Sequence, residues 1–219
     1  PRAASMPPSH LGLRAGERIR VEDAIRALIV KSANDVAVVV AEALAGSEAA
    51  FAEAMTRKAR ALGMTRTTFV NASGLADLRQ RTTVRDLAIL ARRLIADYPR
   101  YYHYFATERF SWKGRVLRTH NGLIGSYSGA DGLKTGFIRA SGYNLAASAV
   151  RGGRRIIAVY VGGRTATQRN RAVAQLLDRG FKQLASAPLL AASPSLAGPA
   201  GPQAEEGHAA ASTQKVFAG

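Results

Sequence analysis

The stretch ADGLKTGFIRASGYNLAASAV, residues 130–150, is the segment on which the fold turns. Its second part alternates apolar and polar residues as a strand does, and the RGGR turn at 151–154 leads into RIIAVYVGG, a second strand. Further on, QRNRAVAQLLDRGFKQLA (168–185) has helical spacing. Upstream, ERFSWKGRVLRT (108–119) reads as a hairpin about Lys113-Gly114. Before it come four helical patterns. These are VEDAIRALIVKS (21–32), NDVAVVVAEALAG (34–46, with Asn34 as N-cap), SEAAFAEAMTRKARALG (47–63, with Ser47 as N-cap) and TTVRDLAILARRLIADYP (82–99, opened by Thr83 and Asp86). Helices, then a meander, then a helix predict an α+β fold rather than alternating βαβ units.

The chain of 219 residues, 47% hydrophobic, is long enough for a substantial core. The longest apolar run is interrupted by Glu42 and too short to span a bilayer. With no cysteine there is neither a disulfide nor a thiolate metal site, and the four histidines lack ligand spacing, so no metal and no cofactor is expected. A net charge of +16 attracts polyanions, but the arginines are scattered and form no basic tail, which argues against a nucleic-acid partner. The expected organisation is one domain over 1–185 and an Ala/Pro/Ser-rich disordered tail over 186–219.

Lys134, between Gly132 and Gly136, does not sit in a phosphate loop. A Walker A loop needs Gly-Lys-Ser/Thr contiguous and a helix after it, whereas Leu133 intervenes here and a strand follows. An isolated Lys-Thr-Gly would be a strand with an exposed lysine. What alters the balance is Ser32-Ala33-Asn34 at the junction of two predicted helices, because serine, asparagine and lysine are the groups an acyl-transfer site gathers around a serine nucleophile.

With VEDAIRALIVKSANDVAVVVAEALAG, NASGL (71–75), GADGLKTGF and ASGYNLAASAVRGGRRIIAVYVGGRT, the chain resembles the D-alanyl-D-alanine carboxypeptidases, low-molecular-mass penicillin-binding proteins, from about Ala4 to Leu184. The resemblance implies a penicillin-binding/β-lactamase-like transpeptidase fold. It also implies removal of terminal D-alanine from peptidoglycan stem peptides through an acyl-serine, with β-lactams as covalent inhibitors. The site would lie outside the cytoplasmic membrane, in the periplasm or its equivalent, with peripheral membrane association through segments before this chain or through its C-terminal tail. Matched by motif, Ser32 relays a proton toward the departing amine, Asn34 holds a substrate amide and Lys134 supplies positive potential. Thr135 bonds the substrate carboxylate, Gly136 lets the peptide lie close to the strand, and the Phe137 backbone N–H serves the oxyanion. Arg169 binds the free carboxylate, with Arg171 close enough in sequence to leave that assignment open.

The family's nucleophile lies in a Ser-x-x-Lys about one helical turn long, some sixty residues before Ser-x-Asn, and counting back from Ser32 overshoots Pro1. Ser212-Thr-Gln-Lys215 has the spacing but falls in the low-complexity tail and is set aside. The expectation is an N-terminally incomplete domain, inactive alone. Ile138 and Ser73 depart from residues common in the family and bear on substrate detail. Two rivals remain. A class A-like β-lactamase shares the spacing but usually carries Ser-Asp-Asn, where this chain has Ala33, together with a deacylating glutamate segment that is missing between the motifs. A non-catalytic basic module would bind cell-wall glycan or nucleic acid through charge.

Overall fold

A computed structural model of the chain describes residues 1–186. The tail predicted to be disordered lies, except for Ser186, outside the described residues. The elements are α1 (Val21–Arg26), which runs into a single π turn (Ala27–Lys31), α2 (Asn34–Ala45), α3 (Glu48–Ala61), α4 (Val84–Asp97), β1 (Arg109–Trp112), β2 (Arg115–Arg118), β3 (Ala130–Ile138), β4 (Gly142–Arg151), β5 (Arg154–Gly163) and α5 (Ala166–Ser186). Helices precede strands and a helix closes the domain, so the fold is α+β.

Local chemistry explains the boundaries. Ser47 Oγ accepts from Ala50 N at 3.1 Å and Thr83 Oγ1 accepts from Asp86 N at 3.1 Å, so both residues cap their helices as their types predict. Asn34 differs from the expectation. Ala33, in extended backbone, is the N-cap of α2 without a side-chain bond, and Asn34 is the first helical residue. Its amide is drawn instead to the Pro7 carbonyl, a partner 27 positions away. The β4–β5 turn is Gly152-Gly153, with φ of 55° and 71°, values that only glycine adopts freely and that match the twist of a tight hairpin.

The sheet is antiparallel in the order β3-β4-β5. Residues 130–138 form a strand of their own, so Lys-Thr-Gly sits within β3 instead of ahead of a strand. Its two glycines lower the strand signal in sequence, and pairing with β4 (Leu133 with Ala147, Lys134 with Ala146, Thr135 with Leu145) supplies what local propensity lacks. Alternation in β4 then sorts the two faces. Leu145, Ala147 and Ala149 pack with Val173 and Leu177 of α5, four residues apart on one helix face. Ala146 and Ile157 join Leu133, Tyr102 and Ala91 of α4 on the other side.

A separate cluster of Leu11, Leu13, Ala27, Val30, Val36 and Phe110 unites the N-terminal loop, the π turn, α2 and the β1–β2 hairpin. Ser32 emerges at the edge of this cluster, and Lys134 emerges from β3.

Candidate active site

Ser32 ends the π turn with φ 54° and ψ 46°, in the left-handed region. That conformation costs a non-glycine residue about 1–2 kcal/mol, and such strain is kept where it serves a site. The Lys134 ammonium donates to Ser32 Oγ across a sequence separation of 102 residues, and to its neighbour's carbonyl, Thr135 O, at 2.9 Å. Burial first, and then the Arg169 charge, lowers the Lys134 pKa from 10.5 to about 8. At neutral pH the amine therefore carries a proton but sits close to giving it up. Because Ser32 Oγ accepts from Lys134, its own proton is free to be donated elsewhere.

Asn34 is buried, its Nδ2 donating to Pro7 O at 2.9 Å while its backbone N–H donates to Ser9 O at 2.8 Å. This fixes the amide, and Oδ1, which has no hydrogen bond among the described residues, is the acceptor left over. Thr135 Oγ1 likewise has none.

Gly136 is exposed, and a Cβ there would meet no protein atom within 4 Å, so the space before it is open. Gly132 is the opposite case. A Cβ there would lie 2.5 Å from Tyr102 Oη and 3.2 Å from Phe105 Cβ, so that glycine is required for packing. Phe137 is 56% exposed, its ring against Tyr143 at 4.5 Å between centroids. β3 is an outer strand of the sheet, with one edge unpaired among the described residues.

Of the two arginines left open by sequence, Arg169 is 3% exposed and Arg171 faces solvent. Arg169 Nη2 donates to His120 O at 3.1 Å and to Asn170 Oδ1 at 2.8 Å, and Nε donates to Asn170 Oδ1 at 3.1 Å. Nη1 has no hydrogen bond among the described residues. Partial burial first, and then the charges of Lys134, Lys31 and Arg169, hold the His120 imidazole below its usual pKa.

Sequence reasoning passed over several of these groups. Lys31 belongs to the same positive region and acts on His120. Asp131, beneath Lys-Thr-Gly, is paired with Arg155 at 2.7 Å, and Arg155 also donates to Ser148 Oγ at 2.5 Å. Asp35 is 1% exposed. A signal existed for the last: an acid followed at once by VAVVVA stands on an apolar helix that leaves little room for charge. Ser212–Lys215 lies outside the described residues, and no group of histidine or acidic side chains suited to a metal occurs among those described.

The structure thus brings together a strained serine, a half-buried lysine that donates to it from an outer strand, a spare amide oxygen two residues on, and a buried arginine whose charge acts on that lysine. The model of the family described as D-alanyl-D-alanine carboxypeptidase matches residues 3–165. The chain belongs to that family. D-alanyl-D-alanine carboxypeptidase DacD of Escherichia coli K12 is 37% identical over 179 residues, covering 81% of this chain and 46% of that protein. The crystal structure of DacD from Francisella tularensis superposes with a TM-score of 0.80 at 27% identity, over 82% of this chain and 56% of that one. Penicillin-binding protein D2 of Listeria monocytogenes, in its ampicillin-bound form, has a TM-score of 0.70 at 36% identity, over 74% of this chain and 68% of that one. The fold is thus that of the penicillin-binding proteins, and the chain spans about half the length of the curated relatives it matches.

Proposed function

We propose that the protein works as a serine-type D-alanyl-D-alanine carboxypeptidase on peptidoglycan stem peptides outside the cytoplasmic membrane, and that this chain supplies the half of the site that binds the peptide and moves its proton. The observation that carries the reading is the bond from Lys134 Nζ to Ser32 Oγ, which brings the two motifs into contact. The reaction passes through an acyl-serine. A serine hydroxyl attacks the carbonyl of the penultimate D-alanine, the terminal D-alanine leaves as an amine, and water then cleaves the ester. The attacking serine belongs to a Ser-x-x-Lys pair, for which residues 1–186 offer no candidate.

Each residue's role follows from its free valences. Ser32 accepts from Lys134 and gives its own proton to the departing nitrogen, and Lys134, with a pKa of about 8, restores it. The spare Asn34 Oδ1 accepts a substrate amide N–H. Thr135 Oγ1 and Arg169 Nη1 take the terminal carboxylate, the group that distinguishes a chain end. The peptide lies along the free edge of β3, in the space that Gly136 leaves open, with the Phe137 N–H toward the oxyanion. The ampicillin-bound form of the Listeria relative supports β-lactams as ligands of this protein. No helix among the described residues is long and apolar enough to cross a membrane.

The test is binding of N-acetylated Lys-D-Ala-D-Ala to the chain, followed by amide and lysine NMR shifts. We expect shifts centred on Ser32, Lys134, Thr135 and Gly136, and at least tenfold weaker binding of the L-Ala-L-Ala diastereomer. Equal binding of both peptides, or shifts confined to the far side of the sheet, would overturn the assignment.

A further inference from the structure

The left-handed backbone of Ser32 needs something to hold it, because strained backbone persists only where its surroundings over-determine it. What surrounds it is a strap, residues 7–13, free of helix and strand and laid along the corner at 31–36. Ser9 Oγ donates to Lys31 O at 2.8 Å, the residue just before Ser32. Beyond Ser32, the Asn34 N–H donates to Ser9 O at 2.8 Å and Asn34 Nδ2 to Pro7 O at 2.9 Å. The strained residue is therefore gripped on both sides by one irregular loop.

A loop can grip only if it is itself fixed, and Asp35 fixes this one. Its carboxylate accepts from Leu11 N at 3.0 and 3.1 Å, from Gly12 N at 2.9 Å and from Leu13 N at 3.0 Å, and also from Val36 N at 2.9 Å. The group is 1% exposed and, among the described residues, has no ion-pair partner, so backbone amides alone compensate its charge. The amides of Leu11, Gly12 and Leu13 lie outside any strand or helix that would satisfy them otherwise.

We propose that Asp35 is a positioning residue for this site: it gathers the amides of Leu11, Gly12 and Leu13, fixes the strap, and through the strap holds the Ser32 hydroxyl against Lys134 and leaves Asn34 Oδ1 free. Asp35 itself touches neither. Its importance for catalysis rests on the reading of Ser32 and Asn34 given above, whereas its mechanical role can be measured without any ligand.

The experiment compares the chain with its Asp35→Asn and Ser9→Ala variants. Asparagine keeps the shape but turns an NH2 toward amide donors, which breaks part of the cradle. Three readouts are taken: hydrogen exchange of individual amides, titration of the Lys134 ammonium by NMR, and affinity for N-acetylated Lys-D-Ala-D-Ala.

In Asp35→Asn we expect exchange at Leu11, Gly12 and Leu13 to accelerate at least a hundredfold while amides of β4 and α5 stay protected. Water admitted beside a loosened Ser32 should move the Lys134 midpoint up from about 8 by a unit or more. Peptide affinity should fall at least tenfold. Ser9→Ala, which cuts one tether and spares the cradle, should move Lys134 the same way by less, and the double variant should move it by less than the sum. A strap that loosens while Lys134 keeps its midpoint overturns the proposal. So does a uniform loss of protection across the sheet, the mark of a purely structural role. Should Asp35→Asn not fold, a Lys134 midpoint unmoved by Ser9→Ala is the overturning result. If the unmodified chain ignores the peptide, the carboxypeptidase reading fails while the Lys134 titration still decides the role of Asp35.

Discussion

Replacing Lys134 with methionine should reverse the sign of a stability difference as pH rises. Below pH 8 the lysine is charged in both the folded and unfolded chain, and the folded state bears the full cost of burying the ammonium. A fall from 10.5 to about 8 amounts to about 3 kcal/mol, at about 1.4 kcal/mol for each pH unit. Between pH 8 and 10.5 the unfolded chain holds a proton that the native chain has released. Stability therefore rises with pH through that window by about 3 kcal/mol and then levels off. Methionine fills similar space without a charge, so it removes both the cost and the rise, while the bonds to Ser32 Oγ and Thr135 O are lost at about 1 kcal/mol each. The variant should thus be about 1 kcal/mol more stable than the parent at pH 7 and about 2 kcal/mol less stable at pH 10.5, the differences of these two estimates. Urea unfolding followed by circular dichroism at pH 7, 8, 9, 10 and 10.5 measures this. Tyr102 and Tyr127, each pushed up to about 12 chiefly by burial, lower stability above pH 10 in both proteins, and that contribution cancels in the difference. A gap between parent and variant that does not change with pH would refute the burial argument and, with it, the electrostatic part of the site.

Ser32→Ala should be about 1 kcal/mol less stable than Ser32→Gly by the same urea measurement, since both lose the hydroxyl and only alanine stays strained at φ 54°. Gly132→Ala should destabilise by about 1–3 kcal/mol, because Tyr102 and Phe105 occupy the space its Cβ needs. Gly136→Ala should stay within about 0.5 kcal/mol of the parent yet weaken the D-Ala-D-Ala peptide, which calorimetric titration would detect. Arg155→Met should cost about 1–2 kcal/mol in thermal unfolding, less than a fully buried pair would, because the Arg155 and Asp131 side chains remain 30% and 29% exposed.

The parts of the domain that were legible in advance are those governed by near neighbours. Ser47 and Thr83 cap helices because a hydroxyl reaches an amide three residues on, and the glycine pair at 152–153 turns a hairpin because no Cβ opposes its backbone. The alternation at 145–149 declares a buried strand face for the same local reason. Asn34 shows where such reasoning fails. Its type predicts a cap, but a carbonyl 27 residues earlier competes for its amide and takes it. The β3 strand was blurred for a similar reason: its glycines weaken local propensity, and register with β4 restores the strand.

By itself, the amino-acid order determined that helices come first, strands next and a helix last, together with the two short motifs and the positive charge, since each depends on residue types and their spacing along the chain. It left undecided which of Arg169 and Arg171 is buried, that Tyr102 and Phe105 crowd Gly132, and that Asp35 is bound to a loop more than twenty residues before it. Only the tertiary structure decided those points. Burial, the lowered affinity of Lys134 for its proton and the grip on Ser32 all arise between segments far apart in the chain, where the interaction depends on distance in space and leaves no periodic trace in sequence.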